Sequence, residues 1–101
     1  MTISEIETNI KFLQRILIIL KEEPTSTEDI IFKKYVEFES LVKVKLFIQK
    51  KGIRTERGSI YQSNDLSDVI RSNPIDVNED IIKLAQKRLR TNTNLINILY
   101  N

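Results

Sequence analysis

Residues 41–75 read LVKVKLFIQKKGIRTERGSIYQSNDLSDVIRSNPI, and this stretch decides the fold class. Its first ten residues place apolar side chains at the period of an α-helix: Leu41, Val44 and Ile48. Gly52 followed by an apolar Ile53 is typical of the residues that end a helix. Val42 and Leu46 lie on the opposite face, so we expect this helix to be buried on two sides.

The second half of the stretch predicts a connector and another short helix. Residues 54–61, RTERGSIY, are expected to form a loop or a small β-hairpin that turns on Gly58. Ser63 then caps a helix, and the pair Asn73-Pro74 ends it. The pattern of helix, short connector and helix predicts a helix-turn-helix or winged-helix-like module.

The N-terminal side adds two predicted helices, over residues 4–22 and from Ser26 to about Ser40. Ser4 with Glu7 forms a capping-box pattern, Ser26 or Thr25 caps the second helix, and Ser40 caps the third. Apolar side chains in the first helix recur with alternating spacings of three and four, and we call them the α1 stripe: Ile3, Ile6, Ile10, Leu13, Leu17 and Leu20. Such a heptad stripe packs either in the chain's own core or against its copy in a homodimer, and both interpretations stay open.

On the C-terminal side, Asp76 and Glu79 predict the start of a fifth helix. Cations crowd its second half, where they suit the helix dipole: Lys83, Lys87, Arg88 and Arg90. Residues 91–101 form a last short helix or fray. We therefore predict an all-α single domain over 1–101 with five or six helices. It divides into an N-terminal helix (1–23), a central module (26–75) and a C-terminal helix and tail (76–101).

Composition excludes several classes of function. The 101 residues contain no cysteine and no histidine, so neither disulfides nor the usual zinc ligands are available. There is no phosphate-binding glycine loop, and adjacent carboxylates such as Glu22-Glu23 are typical of capping or solvated groups. We expect no enzyme activity, no cofactor and no metal. The longest apolar run, residues 16–20, is too short to cross a membrane, and nothing resembles a signal peptide, so we expect a cytoplasmic protein.

The net charge of +2 is small, but the basic residues are unevenly distributed. Residues 43–57 contain six basic and one acidic side chain, whereas residues 1–42 contain five basic and eight acidic ones. A local basic excess of this kind indicates either a nucleic-acid contact or a solvated lysine-rich helix end.

The same stretch resembles a segment of the helical DNA-binding domain of the large serine recombinases. The matching residues, in order, are Gly52, Ile53, Thr55, Arg57, Gly58, Tyr61, Val69, Asn73 and Pro74, with Tyr61 at that segment's tryptophan position and a small change of spacing near Val69. The resemblance covers about a third of the chain, and that family's catalytic domain and zinc ribbon are absent from these residues. It implies a DNA-contacting module without strand exchange, such as a small transcription regulator encoded by a mobile element.

Physical chemistry suggests how this module would contact double-stranded DNA. Arginines reach phosphates or the minor groove, glycine allows close backbone approach, and polar side chains near a helix N-terminus donate to phosphates or bases. The predicted DNA-binding residues are Lys43, Lys50, Lys51, Arg54, Thr55, Arg57, Gly58, Ser59, Gln62, Ser63 and Asn64. Asp65 and Asp68 argue against DNA because they add negative charge to the same helix. The alternative function is a helical adaptor or inhibitor that binds another protein and no DNA.

Overall fold

The computed structural model describes the backbone of residues 1–100 and the side chains of residues 1–92, and this part of the chain contains five α-helices. They are α1 (Ile3–Lys21), α2 (Thr27–Phe38), α3 (Leu41–Lys50), α4 (Ser63–Arg71) and α5 (Glu79–Tyr100). A single antiparallel bridge between Arg54 and Ile60 is the only β-type pairing in the described residues. The all-α class is therefore confirmed, as is the small hairpin between the third and fourth helices.

The starts of α2 and α3 follow the predicted N-caps. The Ser26 hydroxyl accepts a hydrogen bond from the Asp29 N–H at 3.1 Å. The Ser40 hydroxyl accepts one from the Lys43 N–H at 3.3 Å. The predicted cap of α1 was wrong. The hydroxyl of Thr2, and not that of Ser4, accepts the hydrogen bond from a backbone N–H in the first turn. Each of these caps satisfies a backbone donor that has no partner within its helix.

The end of α3 is the predicted glycine stop. Gly52 has a φ of 74°, which only glycine adopts without strain. The Ile53 N–H donates to the Ile48 carbonyl at 3.2 Å, and the Gly52 N–H donates to the Gln49 carbonyl at 3.0 Å. This paired arrangement satisfies the last carbonyls of α3 and turns the chain sharply toward the hairpin.

The core is built around α2, which packs against α3, α4 and α5. Its largest fully buried side chains come from all four of these helices: Tyr35, Phe32, Ile31, Ile48, Leu66, Ile70, Ile81 and Val44. From α1, only Ile16 is buried in this core, with Phe12, Ile19 and Leu20 packed at its edge. Most of α1 therefore lies outside the core that the other helices share.

The prediction that α3 is buried on two sides was wrong. Val44 and Ile48 are buried, but Val42 and Leu46 on the opposite face are 61% and 59% exposed. The reason is that the helices packed closely against α3 in the described part of the chain, α2 and α4, meet the face that carries Val44 and Ile48. Its outer face is left to solvent and carries a mixture of apolar and basic side chains.

A buried ion pair fixes the connection between α1 and α2. The Lys33 ammonium lies 3.0 Å from the Asp29 carboxylate, and their side chains are 8% and 4% exposed. The carboxylate also accepts from the Thr25 N–H at 3.1 Å, and the ammonium donates to the Glu22 carbonyl at 3.3 Å. Both charges thus hold the backbone of the connector as well as each other. The sequence analysis singled out neither residue, because a spacing of four between an acid and a lysine is common on exposed helix faces.

The last helix, α5, begins later and continues further than predicted. The side-chain carbonyl of Asn78 accepts from the Asp80 N–H at 2.9 Å, so the helix is capped there and not at Asp76. It extends through the predicted tail to Tyr100, so residues 91–100 continue α5 and form no sixth helix; Asn101 lies outside the described residues. No helix within the described residues has the length and apolar content needed to span a bilayer.

Side chains of α5 satisfy the ends of two other helices. The Gln86 amide donates to the carbonyls of Ile70 and Ser72, both at 3.1 Å, at the end of α4. Arg88 forms an ion pair of 2.8 Å with Glu39, which ends α2 in a left-handed conformation with a φ of 57°. These contacts hold the C-terminal ends of α2 and α4 against the same helix.

Burial raises the pKa of Tyr35 above its ordinary value, although the hydrogen bond from Asn92 and the charge of Arg88 act in the opposite direction. The folded state therefore holds this phenolic proton more tightly than the unfolded chain does. We expect its contribution to stability to be complete below about pH 10 and to be lost as the pH rises through the folded-state pKa. Urea unfolding of wild type and Tyr35→Phe across that range tests this, and equal slopes of stability against pH would contradict it.

Candidate nucleic-acid interface

The connector between α3 and α4 is a tight, internally bonded hairpin. The Gly58 N–H donates to the Thr55 carbonyl at 2.8 Å, and the Thr55 N–H donates to the Ser59 carbonyl at 2.9 Å. Gly58 has a φ of 81°, as a turn that closes on glycine requires. A Cβ at this position would meet open space, so the glycine serves the turn and leaves its outer side accessible.

The polar side chains of the hairpin divide into two groups. The hydroxyls of Thr55 and Ser59 lie 2.7 Å apart and bond each other, so they brace the turn. The Arg54 guanidinium reaches back to the Gly58 carbonyl at 3.4 Å. Arg57, by contrast, is exposed at the turn and forms no hydrogen bond or ion pair with the described residues. The hairpin therefore presents Arg57 outward on a braced support.

Five exposed cations lie on α3, at its C-terminal end and on the hairpin, and we call them the basic surface: Lys43, Lys50, Lys51, Arg54 and Arg57. Lys43 and Lys50 are seven residues apart on α3, which places them on one side of that helix two turns apart. The ammonium of Lys51 lies 5.6 Å above the ring centre of Phe47, a cation–π distance that restrains it. All five predicted basic residues are thus solvent-accessible on consecutive elements.

The N-terminus of α4 is organised differently from the prediction. Gln62, not Ser63, is the N-cap, and its backbone N–H donates to the Asp65 carboxylate at 2.8 Å. Ser63 is instead the first residue inside the helix and is half-buried, whereas Asn64 is exposed. Asp65 therefore has a structural role at the helix start. Of the two acids that argue against DNA, Asp68 remains as the exposed one.

The side of the hairpin next to Tyr61 is acidic. The pKa of Tyr61 is raised by burial first, and then by the negative charges of Glu28, Asp65 and Glu56. These carboxylates come from α2, α4 and the hairpin itself. The basic surface thus carries an excess of positive charge, whereas the polar residues at the start of α4 lie among these carboxylates. The predicted site therefore has two parts of different local charge.

A second group of exposed cations lies on α5 at helical spacing: Lys83, Lys87 and Arg90. Sequence analysis explained them by the dipole at the helix C-terminus. Since α5 continues ten residues beyond Arg90, they lie in its middle, where that explanation does not hold. The dipole explanation failed because the sequence pattern did not show that α5 continues past Arg90.

The predicted dimerisation residues are mostly exposed. In the α1 stripe, Ile3, Ile6, Ile10, Leu13 and Leu17 are exposed, and only Leu20 is half-buried against the core. The side of α1 that packs inward is the adjacent one, formed by Phe12, Ile16, Ile19 and Leu20. Contiguous exposed apolar surface of this kind marks interaction sites in soluble proteins.

In the described residues, the acidic side chains do not gather into any group of three that could hold a metal ion. The chain matches no protein-family model, no curated protein and no solved structure. The resemblance of residues 41–75 to serine recombinases therefore stays an expectation from the matching positions. The functional argument rests on the geometry of the hairpin, the basic surface and the α1 stripe.

Proposed function

We propose that this protein binds double-stranded DNA through the basic surface, as a small cytoplasmic regulator of transcription encoded by a plasmid or phage. The observation that carries the proposal is the braced hairpin, which holds Arg57 outward next to the cations that end α3. The backbone that carries Arg57 is already ordered and need not lose conformational entropy on binding, and phosphate contacts supply much of the affinity for duplex DNA.

The proposed arrangement is helix-turn-helix or winged-helix-like, with α3, the hairpin and α4 as the contacting unit. Lys43, Lys50 and Lys51 would position the phosphate backbone, and Arg54 and Arg57 would reach phosphates or the minor groove. We propose that the base-specific contacts come from Gln62, Ser63 and Asn64. The carboxylates around Tyr61 repel phosphates. We therefore expect base-specific contacts to contribute less to the binding free energy than phosphate contacts do.

A homodimer is proposed as the functional unit, because the exposed α1 stripe lies on a helix separate from the basic surface. Two-fold DNA-binding proteins commonly contact paired half-sites, so self-association and DNA binding are compatible. The alternative, an adaptor that binds another protein through α1 and binds no DNA, predicts the same exposed stripe but no affinity for duplexes.

The test of the DNA site is the double variant Arg54→Ala/Arg57→Ala. We expect the free energy of unfolding to change by only about half a kcal/mol, since both side chains are exposed. Affinity should fall for all duplex sequences, and the slope of log affinity against log salt should become shallower by up to about two, near one for each phosphate that an arginine no longer neutralises. Fluorescence anisotropy with a labelled random duplex measures both quantities.

The matched control is Lys83→Ala/Lys87→Ala, which removes the same charge from the exposed cations of α5. It should leave the affinity and the salt slope nearly unchanged. Equal binding by wild type and the hairpin variant, or a larger drop in affinity in the α5 variant, would contradict the assignment of the site.

A further inference from the structure

We infer that α1 pairs with α1 of a second copy of this chain in an antiparallel orientation, with Glu7 of each copy beside Lys21 of the other. The inference rests on the homodimer proposed above and adds the orientation of the two helices and the charges that select it. It makes no use of the basic surface, so its test is independent of DNA binding.

The first step is that α1 has an apolar face with no partner in its own chain. Ile10 and Leu13, in the middle of the stripe, are 50% and 61% exposed. The core-facing side of α1 is centred roughly 110° around the helix from the stripe, at about 100° per residue. Every residue from Ile3 to Lys11 is exposed, so the first half of the helix is accessible over its full circumference.

The second step is that the spacing of the stripe fits a copy of itself. Its alternating intervals of three and four are the heptad pattern in which each apolar side chain enters a gap between side chains of a facing helix. A two-fold dimer buries the same patch on both chains, so one stripe suffices to build the whole interface. When Glu7 lies level with Lys21 of the second copy, the stripe residues that overlap between the two helices are Ile10, Leu13, Leu17 and Leu20, and Ile3 and Ile6 extend beyond the end of the facing helix.

The third step is that charge selects the orientation. Glu7, Gln14 and Lys21 are seven residues apart, so they line one edge of the stripe, and all three are exposed. In an antiparallel two-fold pair this edge faces the same edge of the second copy running in the opposite direction. Glu7 then lies beside Lys21 at both ends, with the two Gln14 side chains near the axis.

A parallel pair would lack these attractions. It would set Glu7 level with Glu7 and Lys21 level with Lys21, and the two helix dipoles would be aligned in the same direction. Of the other charges of α1, Glu5 lies near the N-terminal end, Lys11 lies near the middle, and Arg15 is paired with Asp80 at 3.3 Å. The charges of Glu7 and Lys21, together with the helix dipoles, therefore favour the antiparallel pair.

The first experiment is sedimentation equilibrium of the full chain at tens of micromolar. Wild type should be a dimer, and Leu13→Lys should be a monomer with an unchanged helical circular dichroism spectrum. The matched control is Ile75→Lys, which places a lysine at a fully exposed isoleucine outside α1 and should remain a dimer. A monomeric wild type would overturn both the homodimer and the orientation.

The second experiment reverses the charges. Glu7→Lys and Lys21→Glu should each weaken the dimer by about tenfold, because two symmetry-related attractions become repulsions. The double variant Glu7→Lys/Lys21→Glu should return to within about twofold of wild type, since both pairs are restored with opposite sign. If Leu13→Lys dissociates the dimer but the double reversal restores nothing, the orientation is wrong while the homodimer stands.

Discussion

Replacing Asp29 with asparagine should lower the free energy of unfolding by about 3–5 kcal/mol, although the side chain keeps its shape. The substitution leaves the Lys33 ammonium in a site where its side chain is only 8% exposed, with only neutral acceptors, the Glu22 carbonyl and the new amide oxygen, as partners. A buried charge without its counterion loses hydration that nothing replaces. Urea unfolding followed by circular dichroism measures the change.

The double variant Asp29→Asn/Lys33→Met separates this explanation from the simple removal of one attraction. It removes both buried charges and keeps an unbranched chain of similar volume, so it should be clearly more stable than Asp29→Asn alone. If Asp29→Asn lowers the free energy of unfolding by less than about 1 kcal/mol, the ion pair is solvated in solution. A double variant less stable than the single would contradict the burial of an unpaired lysine as the cause.

Replacing Ile48 with alanine should cost about 2–5 kcal/mol, because it opens a cavity where α3 meets α2 and α4. The matched control is Leu46→Ala, on the same helix but 59% exposed, which should change stability by no more than about 0.5 kcal/mol. Urea unfolding of both variants tests which face of α3 is inside. Similar destabilisation of the two variants would mean that the outer face of α3 is also buried.

Many of the helix starts and ends could be predicted, because residues within a few positions of each end determine them. Ser26 and Ser40 cap their helices whatever surrounds them, and Gly52 with Ile53 ends α3 through backbone bonds within a few residues. The hairpin follows from Gly58, which supplies the positive φ of the turn. Where two neighbouring residues can both cap, as with Thr2 and Ser4, the choice is not readable from residue type alone.

The errors concern burial, which depends on neighbours that a local pattern does not contain. Val42 and Leu46 are as apolar as Val44 and Ile48, yet only the second pair meets α2 and α4. Asp29 and Lys33 have the spacing of an ordinary exposed pair, and only the packing of α2 makes them a buried one. The same holds for the α1 stripe, whose spacing fits an internal core and a dimer equally well.

The candidate site was predicted in part. The basic residues of the hairpin and of α3 were found from charge density along the chain, and all of them are exposed. The carboxylates around Tyr61 were not foreseen as a group, since Glu28 is distant in sequence from Asp65 and Glu56. The tertiary fold therefore brings Glu28 and Glu56 close to Asp65, an acid that the sequence analysis had already counted against DNA binding.

The central claim is that the basic surface binds duplex DNA, and the salt dependence of wild-type binding tests it most directly. Affinity for a random-sequence duplex should be measurable at about 50 mM salt and should fall linearly on a log–log plot, with a slope between about −2 and −4.5 for roughly two to five phosphate contacts per chain. Absence of binding at that salt concentration, or an affinity independent of salt, would contradict the account and leave the protein-adaptor function in its place.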